Sequence, residues 1–391
     1  MTRSATDVVS KVLAPCSAQQ FFDEYLGKKP LVVRGKGSRF NIAGDDPRSK
    51  ILDDHKKYAS NLTCHAHSPS GPPPHARSVS DASAFMDLIS EYHKLGYTIR
   101  VPDVTDLAAE LSEFTRSLEK LVNNEVGVVV FWSAPGAAAP VHYDEVDVFV
   151  IQLQGTKRWF ISNEPSTLPN KWKNAGEAAS TLTNYQTLDA EPGDLIYLPR
   201  GTVHTVQSTS ESLHLSIGFV PVTAHEGLVA MADFLSEHSF SLRSGLIPRV
   251  DEQLDDETFK QVANKIRHEL DQLVSQCQSD EFIKAALARR RARMIADLPK
   301  LDKTNPSDIS LQTRVKHHPL AMSEIVKTKD FVDFTLPGEH ILINSSVEKA
   351  VSFIEQTPAF VVKDIPGNIE NDVRIALVSK FVGSGFLQLS E

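Results

Sequence analysis

The sequence predicts a mixed α+β chain of more than one domain, with an antiparallel β-barrel or sandwich at its centre. Three observations lead there. With 391 residues the chain exceeds one ordinary domain, and at 41% hydrophobic and 23% charged residues it can bury a proper core. From about 125 to 220 short apolar segments alternate with turn residues, as in antiparallel β structure. On both sides of that stretch the apolar spacing returns to the helical period.

In chain order, residues 1–35 read as a helix, roughly SAQQFFDEYLGK, followed by a short strand, PLVVRG. Residues 36–80 are rich in Ser, Pro, His and charge and end in SPSGPPPHARS, which predicts a mobile surface loop. Helices are expected near 82–95 and 106–123. The strands of the central region are VGVVVFW, VDVFVIQL, KRWFI, LIYLP, HTVQS and LHLSIGF. Helices return at about 226–243 and 256–298, the second long enough to be two or more. The last part, 313–391, mixes strands (FVDFTL, HILINS, AFVVKDI) with helices (SVEKAVSFIEQ, NDVRIALVSKFVGSG), an order compatible with a small winged-helix domain. The expected layout is therefore 1–225 with a barrel core at about 125–220, a helical region at 226–305 and a winged-helix-like domain at 313–391.

A net charge of −9 and a pI near 5.9 argue against binding bare nucleic acid, while an acidic surface attracts basic proteins. The tail from 314 carries 8 basic against 10 acidic residues, so direct DNA binding is not expected there either. Three widely spaced cysteines, Cys16, Cys64 and Cys277, fit no disulfide framework and suit a reducing compartment. No signal-peptide run or apolar stretch of membrane-spanning length occurs. A cytoplasmic protein, or a nuclear one in a eukaryote, is expected.

The chemistry is carried by PVHYDEVDVFVIQLQGTKRWFI (140–161) and EPGDLIYLPRGTVHTV (191–206). His142 and Asp144, two residues apart on an expected strand, share one face. In the second segment Pro192-Gly193-Asp194 turns, LIYLP forms a buried strand, and Pro199-Arg200-Gly201 turns again to aim His204 inward. A lone HxD triplet is a weak signal, more often a polar pair at a sheet edge. Joined to a histidine about sixty residues on, it matches two imidazoles and a carboxylate on one face of a non-haem Fe(II) ion, with three positions free. Zinc is the rival metal, although a structural zinc site favours cysteines and none is near.

If 2-oxoglutarate chelates that iron through its keto acid, its distal carboxylate lies in an apolar barrel and needs a fixed cation. Lys157 in GTKRW is placed to supply it, and Ser216 on LHLSIGF to add a hydrogen bond; their bland readings are a solvated lysine and an ordinary strand serine. Gln152 and Gln154 are expected at the site mouth.

HYDEVDVFVIQLQGTKRWFI and PGDLIYLPRGTVH resemble the JmjC-type cupin oxygenases, in particular the branch that hydroxylates ribosomal proteins. FFDEYLGKKPLVVRG and GYTIRVPDVTDLAAELSEFTRSLEKLV are similar to that branch's opening segments, and the remaining layout matches its helical and C-terminal parts. The resemblance implies a double-stranded β-helix core and a homodimer formed through the helical region. It also implies Fe(II) on His142, Asp144 and His204, with 2-oxoglutarate on Lys157 and dioxygen as second cosubstrate. The implied reaction hydroxylates an amino-acid side chain in a protein or peptide, a ribosomal protein by analogy, while 2-oxoglutarate becomes succinate and CO2. N-methyl-lysine demethylation, peptide tailoring in a biosynthetic pathway and an idle scaffold are the alternatives. The cluster Cys64, His65, His67 and His75 is read as surface loop, and the ARRRAR run at 288–293 as a solvated helix end.

Overall fold

The computed structural model describes residues 4–35, 41–166, 181–246, 255–301, 308–327 and 329–390. The chain divides into two compact units, one up to Pro221 and one from Val222. The first begins with helix Ala5–Leu13, closed by a capping box in which Ser4 and Asp7 each bond the other's backbone N–H. The expected opening helix is instead a short α-turn, Ala18–Gln20, running into a π-helical turn, Phe21–Tyr25.

Ten strands follow: β1 Leu31–Val33, β2 Thr63–His65, β3 Thr98–Val101, β4 Val126–Ser133, β5 Asp147–Gln154, β6 Lys157–Ser162, β7 Tyr185–Ala190, β8 Leu195–Leu198, β9 His204–Ser208 and β10 Ser212–Phe219. Seven form one antiparallel sheet in the order β1-β8-β5-β10-β4-β3-β2, and three form a second in the order β7-β6-β9.

The strand alternation explains the division of labour. Val126, Val128, Val130 and Trp132 of β4 enter the main core, whereas Gly127, Val129, Phe131 and Ser133 line a cavity. On β10, Leu213, Leu215 and Ile217 point to the core while His214, Ser216 and Gly218 line the same cavity. The core also holds the apolar stripes of helices Ala5–Leu13, Ala82–Lys94 and Ala109–Val122. A smaller cluster built on Val148, Val150, Trp159 and Ile161 packs on the cavity side. Residues 41–80 are not the expected loop throughout: they contain helix Pro47–Asp53, helix His55–Tyr58 and β2, which pairs with β3. Residues 36–40 of that expectation lie outside the described residues.

The second unit holds helices Ala224–His238, Asp256–Gln276 and Asp280–Asp297, so the long helical stretch is indeed two helices. Strands β11 Arg314–His317, β12 Glu324–Lys327, β13 Phe331–Leu336, β14 Glu339–Asn344, β15 Ala359–Val361 and β16 Leu387–Leu389 follow. They form two three-stranded antiparallel sheets, β15-β11-β16 and β12-β13-β14, packed with helices Glu348–Gln356 and Asn371–Gly383 around one core. The arginine run is partly exposed but ion-paired rather than free. Arg289 and Arg293 pair with Glu237, Arg290 with Glu226 and Arg291 with Glu324, which spends those charges within the unit.

Candidate metal centre

His142 and Asp144 do not lie on a regular strand. The segment after β4 runs beside β9 through two isolated bridges, Ala138 to Gln207 and His142 to His204. His142 and His204 exchange backbone hydrogen bonds, N–H to carbonyl, at 3.0 and 2.8 Å. That reciprocal pair sets the two imidazoles side by side, ring centroids 4.4 Å apart. The Gly201 N–H donates to the Asp144 carbonyl at 2.9 Å, tying the second turn to the first motif. Pro140 excludes an ordinary ladder partner on its own nitrogen, consistent with the break in the strand.

One atom from each of His142, Asp144 and His204 falls within 4.8 Å of the others, the one such His/Cys/Asp/Glu cluster among the described residues. The Asp144 carboxylate lies 4.0 Å from His142 Nε2 and 3.7 Å from His204 Nε2. The Nδ1 of His142 sits 2.8 Å from the Pro140 carbonyl and that of His204 2.9 Å from the Thr202 carbonyl. An N–H at each Nδ1 donates there, leaving both Nε2 lone pairs facing the carboxylate. His204 is buried and stacks on Trp159 at 5.9 Å, and burial pushes its pKa below the ordinary value. Two neutral imidazoles and one carboxylate with an open side fit a divalent metal of the iron class.

The triad borders a cavity of about 520 Å³. Lys157, the first residue of β6, projects into it with only 2% of its surface exposed. Its Nζ donates to Ser133 Oγ at 2.8 Å, and Ser133 in turn shares a hydrogen bond with Thr98 at 2.9 Å. No carboxylate pairs with Lys157 among the described residues, and burial pulls its pKa down to about 7. A buried cation without a counter-ion, beside a metal-binding triad, is a site shaped for an anion.

Ser216 lines the cavity, but the hydroxyl that Lys157 bonds belongs to Ser133. Gln152 is fully buried and turned away from the mouth, its amide donating to the carbonyls of Gln154 and Gly155. His65, expected on a surface loop, sits on β2 and lines the cavity beside Phe131, where burial lowers its pKa to about 4.

Residues 107–226 match the family model described as the JmjC domain. This chain carries a JmjC domain. The chain is 28% identical over 233 residues to the bifunctional lysine-specific demethylase and histidyl-hydroxylase NO66 of Dictyostelium discoideum, covering 54% of this chain and 43% of that protein. It is 26% identical over 303 residues to ribosomal oxygenase 2 of Mus musculus, covering 71% and 62%. It thus spans about half the length of the curated relatives it matches. Its fold is that of YcfD, a ribosomal oxygenase from Escherichia coli solved in complex with cobalt and 2-oxoglutarate. That likeness has a TM-score of 0.54 at 18% identity and covers 95% of this chain and 98% of that one.

Proposed function

We propose that this chain is an Fe(II)- and 2-oxoglutarate-dependent oxygenase that hydroxylates an amino-acid side chain of a protein, a ribosomal protein by analogy with its relatives. The observation that carries the reading is the unpaired, buried Lys157 in the same cavity as the His142–Asp144–His204 cluster. Bound iron with 2-oxoglutarate and dioxygen supplies the oxidant for a C–H bond, and 2-oxoglutarate leaves as succinate and CO2. The protein's part is positional. His142, Asp144 and His204 hold the metal on one side, and the Pro140 and Thr202 carbonyls fix the tautomers of the two histidines. Lys157 neutralises the distal carboxylate, and Val148, Val150, Leu198 and Trp159 keep water from the site.

Mass spectrometry of the source proteome with and without the gene tests the substrate. A +16 Da difference on a protein supports hydroxylation; a 14 Da methyl difference instead favours N-methyl-lysine demethylation. No gene-dependent mass difference on any protein would count against both.

The second unit supports a homodimer. Helix Asp256–Gln276 exposes Phe259, Ile266, Leu270 and Val274, spaced seven and four residues apart along one stripe. A second copy of the same stripe is the occupant that a self-complementary interface requires. The helical part is read as the dimerisation region and the sheets after residue 313 as a winged-helix-like docking element. The three free cysteines suit a reducing compartment, the cytoplasm or a nucleus. Among the described residues no helix is long and apolar enough to cross a membrane.

A further inference from the structure

His214 stands on β10 between Phe131 of β4 and Gln152 of β5, and the regular alternation of β10 turns it to the same face as Ser216 and Gly218. The ring stacks on Phe131 at 5.0 Å and meets Trp159 edge-on at 5.6 Å, so its plane is fixed from two sides. It lines the cavity that holds Lys157, with 4% of its surface exposed. Neither ring nitrogen has a hydrogen-bond partner among the described residues, and Nδ1 is shut away from solvent. Leaving a buried imidazole nitrogen unsatisfied is costly, and one that faces a cavity can be satisfied by what the cavity binds.

The groups around it narrow the ligand. Lys157 and His65 are the charged or titratable neighbours that act on His214, and both are cationic when protonated. Ser133 and Thr98 add hydroxyls on the neighbouring strands. Among the described residues no carboxylate acts on the imidazole. A cationic ligand group would meet like charge there, and a neutral one would leave the lysine charge uncompensated. A carboxylate meets an ammonium, a hydroxyl and an imidazole.

We propose that an imidazole N–H of His214 donates a hydrogen bond to the same ligand carboxylate that Lys157 neutralises, so that His214 is a binding residue for the dicarboxylate cosubstrate. The inference rests on the 2-oxoglutarate reading above. It assigns that carboxylate a second strand, β10, besides the lysine on β6.

The test is calorimetric and needs no turnover. The dissociation constants of 2-oxoglutarate and of 2-oxopentanoate, the same five-carbon keto acid ending in methyl, are measured on Mn(II)-loaded protein. Four forms are compared: wild type, His214→Phe, His214→Gln and Lys157→Ala. The phenyl ring keeps the stacking and removes both nitrogens; the amide keeps an N–H donor. His214→Phe is expected to weaken 2-oxoglutarate about tenfold or more, leave 2-oxopentanoate within twofold, and be largely rescued by His214→Gln. Unchanged 2-oxoglutarate affinity in His214→Phe, or equal loss for both ligands, would overturn the inference. If wild type fails to bind 2-oxoglutarate at all, the parent reading falls with it. Tight binding by wild type that only Lys157→Ala weakens removes His214 alone.

Discussion

Replacing Lys157 by methionine separates what this residue does for binding from what it costs the fold. In the folded protein its pKa drops from 10.5 to about 7, with burial the cause. At about 1.36 kcal/mol per unit the charged form is disfavoured by roughly 5 kcal/mol, of which about 4 kcal/mol is felt at neutral pH. Methionine keeps the length of the stem and removes the charge; the lost bond to Ser133 gives back on the order of 1 kcal/mol. The unliganded variant is therefore expected to be more stable than wild type by about 3 kcal/mol at pH 7, read from urea unfolding. The pH dependence has a definite sign. The folded pKa lies below the unfolded one, so between them the unfolded chain holds more protons and wild-type stability rises with pH. From pH 7 to 9.5 the gap between variant and wild type should narrow. Adding 2-oxoglutarate to the Mn(II)-loaded proteins should raise the stability of wild type further, and that of the variant much less. A Lys157→Met protein that is less stable when unliganded, or whose gap to wild type is independent of pH, would refute the reasoning.

Further outcomes follow from the same geometry. Asp144→Ala removes the one carboxylate facing both Nε2 atoms, so the Mn(II)-induced rise in melting temperature should disappear while the metal-free melting temperature changes little. Gly155 has φ +63° and a Cβ there would lie 1.9 Å from the Glu211 carbonyl oxygen, so Gly155→Ala should cost roughly 3 kcal/mol or more in unfolding free energy. The neutral substitution Gly127→Ala, whose Cβ meets nothing within 4 Å, serves as its control and should change stability little. Leu270, 53% exposed in the middle of its helical stripe, becomes charged in Leu270→Glu; light scattering should report a dimer for wild type and a monomer for the variant.

How much of this was legible in sequence depends on how local each signal is. His142, Asp144, Lys157 and His204 stand in two short motifs whose turns and apolar runs are visible residue by residue. The structure gathers the three ligand residues at one point. The strand assigned to the HxD segment was wrong because bridges to β9, not a continuous ladder, extend it. Gln152 follows Val148 and Val150 in parity, yet its amide folds back on the Gln154 and Gly155 carbonyls and is fully buried, a contact that alternation does not reveal. His65 was hidden because its strand has three residues and acquires its meaning by pairing with β3, more than thirty positions later. The Ser133–Lys157 bond likewise joins strands that no local pattern relates. The first helix was missed despite a readable signal, the Ser4-x-x-Asp7 box ahead of an apolar stripe.

The central claim is that one cavity holds a metal on His142, Asp144 and His204 and a dicarboxylate on Lys157. Conversion of labelled 2-oxoglutarate to succinate by the purified protein tests it most directly, with Fe(II) and oxygen supplied and no protein substrate added. Wild type should form succinate slowly and only with iron, and His142→Ala and His204→Ala should fall to background. Succinate formation absent from wild type, or undiminished in either variant, would contradict it.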